Sequence, residues 1–491
     1  MIAAARMEWY FGHVWLVRLL FQRAQAALYL LAFIVVLQQF KPLLGERGLL
    51  PAPPFLKRVT FRDAPGLFCW HYSDRLLNAV AWTGILVSAI ALSGLSERGP
   101  VWLSMVIWLF LWFLYLSIVN AGQKFYSFGW ESMLLESGFF VSFMGPEWMK
   151  PSLVPVLVLR WMLFRTELGA GLIKLRHDRC WRDLTCLFYH YETQPLPNPL
   201  SWYFHHLPRF MHRFSVLFSH FVQVIVPFGL FAPQPFASIA GGLIIFHQLW
   251  LIVSGNYSWL NWLTVALGVT AFGDSVLSVV PIAVPQTASE PFWFVVLMYV
   301  IAAGVVVLSV QPTLNMISSR QIMNYSYNRF HLVNTYGAFG NVTRRRHEIV
   351  IEGTDEVMLT DRTRWQEYEF KAKPGCPDRM PPQFAPYHLR LDWLMWFLPF
   401  SVMVNDDRIF VPGYEPWFMR MIQKLLDADA SILKLIKTNP FPQVRPRFIR
   451  ALFYEYHFTG WKEKSETGNW WTRRLIAVYL PPVSLDHLKR L

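Results

Sequence analysis

At residues 151–175 the chain reads PSLVPVLVLRWMLFRTELGAGLIKL, and it continues into the polar segment RHDRCWRDLTCLFYHYETQPLPNPLSWYFHHLPRFMHR (176–213). The first stretch is long and apolar enough to cross a bilayer as a helix. It nevertheless contains four ionisable side chains, Arg160, Arg165, Glu167 and Lys174. Charged groups in the hydrocarbon region are costly and normally face a protein interior or a water-filled cavity. The pattern therefore predicts a buried charged site beside a polar loop.

The spacing of these charges predicts which of them share a helix face. Arg160, Glu167 and Lys174 follow one another at intervals of seven residues, and seven steps rotate a helix by about 700°, close to two full turns. We expect acidic residues of the weak run 130–144 to pair with the two arginines. The predicted intramembrane polar network comprises Arg160, Arg165, Glu167, Lys174, Glu131, Glu136 and His247. It is either an ion network that fixes helix packing or a site of substrate contact or chemistry.

The whole chain has the composition of a membrane protein. Of its 491 residues 54% are hydrophobic, in long runs rather than periodic stripes. The clear candidate spans are seven runs, at about 24–40, 77–94, 101–119, 152–173, 214–232, 236–254 and 290–311. Two weaker runs, 130–144 and 258–272, are expected to be re-entrant or interfacial. We predict a polytopic α-helical membrane protein with about seven spans and two uncertain ones.

A composition change near residue 312 divides the chain. Residues 1–312 are predicted to form the membrane domain, with the polar loop 176–213, and residues 313–491 a C-terminal α+β soluble domain. Within the latter, alternating patterns predict strands at 348–353 and 365–373 and a strand pair from 454–461 and 470–482. Helical patterns cover 389–398 and 417–437.

Charge and cysteine content exclude several classes of function. The net charge of +13 comes from dispersed residues beside spans, as is ordinary for membrane anchoring, so we expect no nucleic-acid partner. The four cysteines show no zinc-ligand spacing, and we expect neither a metal nor a cofactor. Whether Cys180 and Cys186 pair remains open. Hydrolase and nucleotide-binding motifs are missing from the sequence, so the protein is not expected to be a lipase itself.

The distribution of basic residues gives a topology. Arg6, Arg18 and Arg23 favour a cytosolic N-terminus, and seven crossings then place the C-terminal domain on the far side of the membrane. N-glycosylation sequons begin at Asn256, Asn324 and Asn341 and weakly support the same side.

Several long strings resemble the lipase maturation factor family. They include the polar segment quoted above, FYSFGWESMLLESGFF (125–140), NYSWLNWLT (256–264) and AFGNVTRRRHEIVIEGTDE (338–356). The resemblance implies a membrane-embedded, chaperone-like factor that helps secreted dimeric lipases fold and assemble. It implies the endoplasmic reticulum membrane in a eukaryote and the inner, cytoplasmic membrane in a bacterium. The expected partners are therefore a secreted client protein and the lipid bilayer.

A second, more distant resemblance concerns Lys174. The string GLIKL (171–175) followed by Trp181 is similar to the membrane domain of vitamin K-dependent γ-carboxylase, in which the corresponding lysine serves as a base. It implies an alternative, an integral membrane enzyme with Lys174 as the candidate base. A transporter using the same buried charges is a further alternative.

The favoured interpretation is a non-enzymatic folding factor whose loop 176–213 and C-terminal domain together form the client surface. Arginine and aromatic residues supply binding energy at interfaces, and the loop is rich in both. The client-binding candidates are Arg179, Trp181, Arg182, Tyr189, His190, Tyr191 and Glu192.

Overall fold

The computed structural model describes residues 10–405 and 408–488, so Arg6 lies outside the described residues. Helices of eight or more residues are α1 (Trp15–Val35), α2 (Asp74–Ser93), α3 (Val101–Ala121), α4 (Gly129–Val141), α5 (Leu153–Arg176), α6 (Arg209–His220), α7 (Phe236–Ser254), α8 (Leu260–Val269), α9 (Phe292–Leu308), α10 (Val310–Ile317) and α11 (Pro416–Leu426). The strands are β1 (Arg346–Thr354), β2 (Gln366–Glu367), β3 (Glu369–Phe370), β4 (Met403–Asn405), β5 (Arg408–Phe410), β6 (Ile436–Thr438), β7 (Phe448–Phe458) and β8 (Trp471–Val483).

Shorter helical segments connect these elements. The short α-helices are Lys41–Leu44, Ala52–Leu56, Arg179–Arg182, Leu187–Thr193, Ser201–His205, Asp274–Leu277, Arg390–Met395, Ala430–Leu433, Trp461–Thr467 and Leu485–Leu488. The 3₁₀ segments are Leu67–Cys69, Leu95–Glu97, Gln123–Tyr126, Val226–Phe231 and Leu398–Ser401. Two π-helical segments, Val36–Phe40 and Phe221–Ile225, continue α1 and α6.

The described part of the chain contains six helical segments that are long and apolar enough to cross a bilayer: Trp15–Leu44, Asp74–Ser93, Val101–Ala121, Arg209–Phe231, Phe236–Ser254 and Phe292–Ile317. These segments confirm a polytopic helical membrane protein. The predicted run 152–173 forms α5, a helix of 24 residues whose five ionisable side chains lower its apolarity. The weak runs 130–144 and 258–272 contain α4 and α8, of 13 and 10 residues, too short to span about 30 Å of hydrocarbon.

Helix α5 occupies the interior of the membrane domain. It packs against α4, α8, α9 and the segment Phe221–Phe231. Buried residues recur on every side of it, from Pro155 near its start to Lys174 near its end. A helix that is buried all round can keep ionised side chains away from lipid, so this position explains how the helix tolerates its charges.

The C-terminal region forms an α+β domain, which confirms the predicted fold class. Its main sheet has the order β2-β1-β7-β8 with antiparallel neighbours. The predicted strand at 348–353 lies within β1, and the predicted strand pair is β7 with β8. The sheet packs in a continuous hydrophobic core with α11, whose Trp417 and Phe418 are buried. The proposed boundary at residue 312 falls within α10 and stays a prediction.

Two predictions in this domain were wrong in detail. The strand expected at 365–373 is divided into β2 and β3, which pair with different partners. The helix expected at 417–437 ends at Leu426, because the chain turns through Ala428 at a φ of 52°. Asp429 then caps the short helix Ala430–Leu433, and the following residues form β6 instead of a further helical turn.

Candidate functional site

Lys174 and Glu167 form a charge-compensated cluster with two glutamines. The Lys174 Nζ donates to Oε1 of Gln223 at 2.7 Å, and Nε2 of Gln223 donates to Glu167 at 3.1 Å. The amide of Gln248 donates to the other Glu167 oxygen at 2.7 Å. Nζ also lies 4.8 Å from the centre of the Trp181 ring, a favourable cation–π distance. Lys174 and Glu167 therefore lie close together, as predicted, but the amide of Gln223 bridges them and they are not in direct contact.

The second arginine of α5 has the expected acidic partner. Arg165 forms an ion pair with Glu136, and both side chains are buried. The other Glu136 oxygen accepts from the backbone and side-chain nitrogens of Asn334 at 2.7 and 2.9 Å and from the Tyr336 hydroxyl at 2.8 Å. This cluster fixes the segment after α10 to the centre of the membrane domain.

Arg160 and Glu131 depart from the predicted pairing. Arg160 donates to the backbone carbonyls of Thr270 at 2.6 Å and Leu230 at 3.4 Å, so within the described residues carbonyl dipoles rather than a carboxylate solvate it. Glu131 pairs instead with Arg390 of the C-terminal domain. The expected single network is thus divided into separate clusters, because Arg160 lies two helical turns from Glu167 and Arg165 points to a different face of α5.

His247 lines the same cavity as the Lys174 cluster, but no hydrogen bond between described atoms connects the two. A cavity of about 530 Å³ is lined by Glu167, Lys174 and His247 together with aromatic residues of α6 and α7. The Nδ1 atom of His247 is buried and has no hydrogen-bond partner among the described residues. The cavity thus brings together three residues of the predicted intramembrane network with three of the client-binding candidates, Trp181, His190 and Tyr191.

The loop 176–213 holds the C-terminal domain through buried contacts. The Arg346 guanidinium donates to the carbonyls of Glu192 at 3.0 Å and Pro195 at 2.9 Å, and it pairs with Glu348 at 2.6 Å. The Glu192 carboxylate accepts from the backbone nitrogen of Phe458 at 2.8 Å. The loop is therefore a structural joint between the two domains.

Most of the predicted client-binding residues are part of this joint. Trp181 donates to the Phe339 carbonyl at 2.7 Å, and His190 hydrogen-bonds the Tyr257 hydroxyl at 2.9 Å. Burial lowers the pKa of His190 to about 3, so this imidazole is neutral. Trp181, His190, Tyr191 and Glu192 are buried. By contrast, Arg179 and Arg182 are exposed and Tyr189 is half-buried. In this conformation only the last three offer surface to a client, and direct client contact stays a prediction.

A disulfide and an ion pair stabilise the start of the loop. Cys180 and Cys186 are joined by a disulfide bond, which answers the question that the sequence left open. Asp178 accepts from the Arg344 guanidinium at 2.7 Å, and this hydrogen bond lowers the pKa of Asp178 to about 2. Asp178 and the two sulfur atoms lie close together, but sulfurs bonded to each other are not thiolate ligands.

A groove of about 630 Å³ lies between the two domains. Phe128 and Trp130 line it from the membrane domain, and Trp396 and Phe397 line it from the C-terminal domain. The loop reaches the same place, because Trp396 Nε1 donates to the Thr193 carbonyl at 3.2 Å. We call this feature the interdomain groove.

Sequence reasoning missed several residues that complete these clusters. Gln223 stands as a single amide in the apolar run FVQVIV and lies in a π-helical segment, a feature often found at functional sites. A lone polar residue in a span is a signal that could have been used. Asn334, Tyr336 and Arg390 lie outside the spans, and no local pattern connects them with their partners.

The structure has several membrane-crossing helices around charged clusters, and its α+β domain is docked on a polar loop. These features define a polytopic integral membrane protein with a soluble C-terminal domain. A family model described as lipase maturation factor transmembrane domain matches residues 16–279, and one described as lipase maturation factor C-terminal domain matches residues 332–481. The chain belongs to the lipase maturation factor family.

Individual relatives cover nearly the whole chain. Lipase maturation factor 1 of Homo sapiens is 41% identical over 97% of this chain and 89% of its own length. The protein of the same name from Bos taurus is 40% identical over 97% of this chain and 91% of its own length. Lipase maturation factor 2 of Homo sapiens is 27% identical over 95% of this chain and 82% of its own length. No solved structure matches the chain with statistical significance.

Proposed function

We propose that this protein is a membrane-embedded maturation factor that assists the folding and assembly of secreted client proteins, and that its clients are lipases. The names of the relatives support a role in lipase maturation. We further propose that it acts as a chaperone rather than as an enzyme, and that in a eukaryotic cell it resides in the endoplasmic reticulum membrane.

The interdomain groove is the observation that carries this proposal. Phe397 is 41% exposed although it lines a groove formed by both domains, and it stacks on Phe128 with ring centres 6.4 Å apart. Phe400 nearby is also exposed. Exposed aromatic side chains in a concave site favour binding of apolar segments, and partly folded clients expose such segments.

The docking of the domains supports a rigid client surface. Arg346 contacts three loop residues, and Arg390 forms a buried pair with Glu131. Buried, hydrogen-bonded charges keep a defined geometry because separating them is costly. The two domains therefore hold the groove between them in one geometry, which supports its proposed role as a client surface.

The test is secretion of active lipase from cells that lack their own factor and express this chain. Truncation of an interface aromatic typically costs about 1–2 kcal/mol of binding energy, so Phe397→Ala should reduce the yield by about 5- to 30-fold at limiting factor. Phe61→Ala is the control, because Phe61 is also 41% exposed and stacks on an aromatic ring, that of Trp70, but does not line the groove. Equal yields from both variants, at equal levels of membrane protein, would refute the groove as client site.

One observation favours the enzymatic alternative. Lys174 is buried yet lines the 530 Å³ cavity, as a base acting on a membrane-soluble substrate would. Lys174→Arg separates the two functions, since a guanidinium stays protonated at any working pH and cannot serve as a base. A chaperone should retain most of its client yield with arginine at this position, whereas an enzyme should lose its activity.

A further inference from the structure

The 530 Å³ cavity lies within the membrane domain and has the size of a small-molecule site, for which about 300–1,000 Å³ is typical. It is bounded by α5, the span Arg209–Phe231, α7 and α8. We call it the intramembrane cavity. It adjoins the interdomain groove, and five residues line both: Thr166, Ala170, Leu260, Ala338 and Phe339.

The inner end of the intramembrane cavity is polar but electrically balanced. Glu167 and Lys174 supply opposite charges, and Gln223 hydrogen-bonds both of them. A ligand with a net charge would disturb this balance in a medium of low dielectric constant. The cluster therefore favours an uncharged headgroup.

Two buried polar atoms beside this cluster lack partners. Nδ1 of His247 and Nδ2 of Asn261 have no hydrogen bond to any described residue, and both side chains line the cavity. An unsatisfied buried polar atom costs about 1–3 kcal/mol. The amide nitrogen of Asn261 can only donate, so a ligand that satisfies it must offer an oxygen acceptor.

The outer end of the cavity is apolar and exposed. Phe210, Phe214 and Phe246 line it and are 71%, 67% and 55% exposed. All three lie on segments that are long and apolar enough to cross a bilayer. Exposed aromatic side chains on such segments contact lipid, so a hydrocarbon chain can enter the cavity from the bilayer.

We propose that the intramembrane cavity binds an uncharged amphipathic lipid with a single hydrocarbon chain and a headgroup of hydroxyl or carbonyl oxygens. The headgroup accepts a hydrogen bond from the Asn261 amide and pairs with the His247 ring, and the chain lies against Phe210, Phe214 and Phe246. A monoacylglycerol and an isoprenoid alcohol share this chemistry. The assignment does not rest on the proposed function, although the cavity shares wall residues with the interdomain groove.

The test uses the full chain in phosphatidylcholine nanodiscs with a photoactivatable monoacylglycerol as probe. We expect labelling of peptides within residues 210–223 or 246–264. Unlabelled monoacylglycerol or isoprenoid alcohol should compete, and the stronger competitor identifies the source of the ligand. A fatty acid kept ionised at high pH should not compete. Labelling confined to other exposed helices such as α9, or equal competition by the ionised fatty acid, would overturn the proposal.

Two substitutions at lining residues make the test specific. Asn261→Leu removes the donor at nearly constant volume and should weaken probe binding by about 3- to 10-fold. Thr264→Val is the matched control, because its hydroxyl already donates to the Leu260 carbonyl at 2.9 Å, and it should change binding by less than about twofold. Since Asn261→Leu removes an unsatisfied amide, the lipid-free protein should unfold at the same or a higher temperature. Unchanged probe binding by Asn261→Leu would overturn the assignment.

Discussion

Arg390 of the C-terminal domain and Glu131 of α4 form an ion pair of 2.8 Å in which both side chains are completely buried. The Arg390 guanidinium also lies over the Tyr126 ring, and the Tyr115 hydroxyl donates to Glu131. Neither charge reaches water, so each is stable only while the other stays in place. The pair therefore makes the stability of the membrane domain depend on the docked C-terminal domain.

Removing one member of this pair should destabilise the protein far more than removing both. We expect Arg390→Met or Glu131→Gln to lower the free energy of unfolding by about 3–5 kcal/mol, because each leaves an uncompensated buried group, and the double variant to lose clearly less. Thermal and denaturant unfolding of the detergent-solubilised protein measures the free energy of unfolding of the single and double variants.

The pair Lys124–Glu415 is the control, because it also joins the two domains, at 2.7 Å, but is more exposed. Exposed pairs contribute about 0–1 kcal/mol, so Lys124→Met should have little effect. If it cost as much as Arg390→Met, burial would not be the source of the effect.

Attachment of the loop to the sheet should weaken as the pH rises. The His457 ring hydrogen-bonds Glu192 at 3.0 Å, and this contact, aided by nearby Glu455, raises the pKa of His457 above its usual value. A raised folded-state pKa stabilises the protein fully below the unfolded value of about 6.5, and the contribution is lost as the pH rises through the folded value.

His457→Gln keeps a hydrogen-bonding side chain without the titration. The stability difference between wild type and this variant should therefore be larger at about pH 6 than at about pH 8.5. Proteolytic release of the C-terminal domain, or its melting temperature, at the two pH values measures this difference. A difference independent of pH would contradict the role of His457.

The distribution of apolar residues was sufficient to predict the fold class. Long hydrophobic runs identified the spans, and the seven-residue spacing along α5 correctly placed Glu167 and Lys174 near one another. The alternation in β1, β7 and β8 likewise follows from local sequence. These features depend on neighbours along the chain, which a single sequence contains.

Apart from the pair of Arg165 with Glu136, the partners of the buried charges could not be predicted in the same way. Glu131 and Arg390 are 259 residues apart, and Arg165 meets Asn334 across 169 residues. Helical periodicity gives the face on which a side chain lies but not which segment packs there. For the same reason Trp181 and Trp202 of the loop 176–213, which resembled a binding surface, proved to be buried, and they donate hydrogen bonds to the carbonyls of Phe339 and Thr459.

The Lys174 cluster allows a test of whether its charge is structural. Lys174→Met should destabilise the protein by about 3–5 kcal/mol, because Glu167 is left buried without a counter-charge. The double variant Lys174→Met with Glu167→Gln removes both charges and should recover most of that loss. Unfolding measurements on the solubilised protein report the stability of each variant. The lipase secretion assay reports its function.

The double variant then decides between the proposed functions. A structural role predicts that stability and client maturation recover together. A stable double variant that fails to mature the client would instead indicate chemistry or direct substrate contact at Lys174. Gln248→Met, which removes one hydrogen bond to Glu167 without changing the charge, controls for the loss of polar contacts and should cost only about 1–3 kcal/mol.

The three sequons should differ in glycosylation and report the side of the membrane on which the C-terminal domain lies. Asn324 and Asn341 are exposed. Asn256 is completely buried, and its side chain hydrogen-bonds the backbone at Pro382 and Phe384. If α5 crosses the bilayer in addition to the six segments above and the N-terminus is cytosolic, the two exposed asparagines face the lumen in a eukaryotic cell and accept glycans. Endoglycosidase should then shift the mobility of the wild type but not of the Asn324→Gln/Asn341→Gln variant, whereas Asn256→Gln should keep the shift. An unshifted wild type would place the domain on the cytosolic side and contradict both the topology and a lumenal client surface.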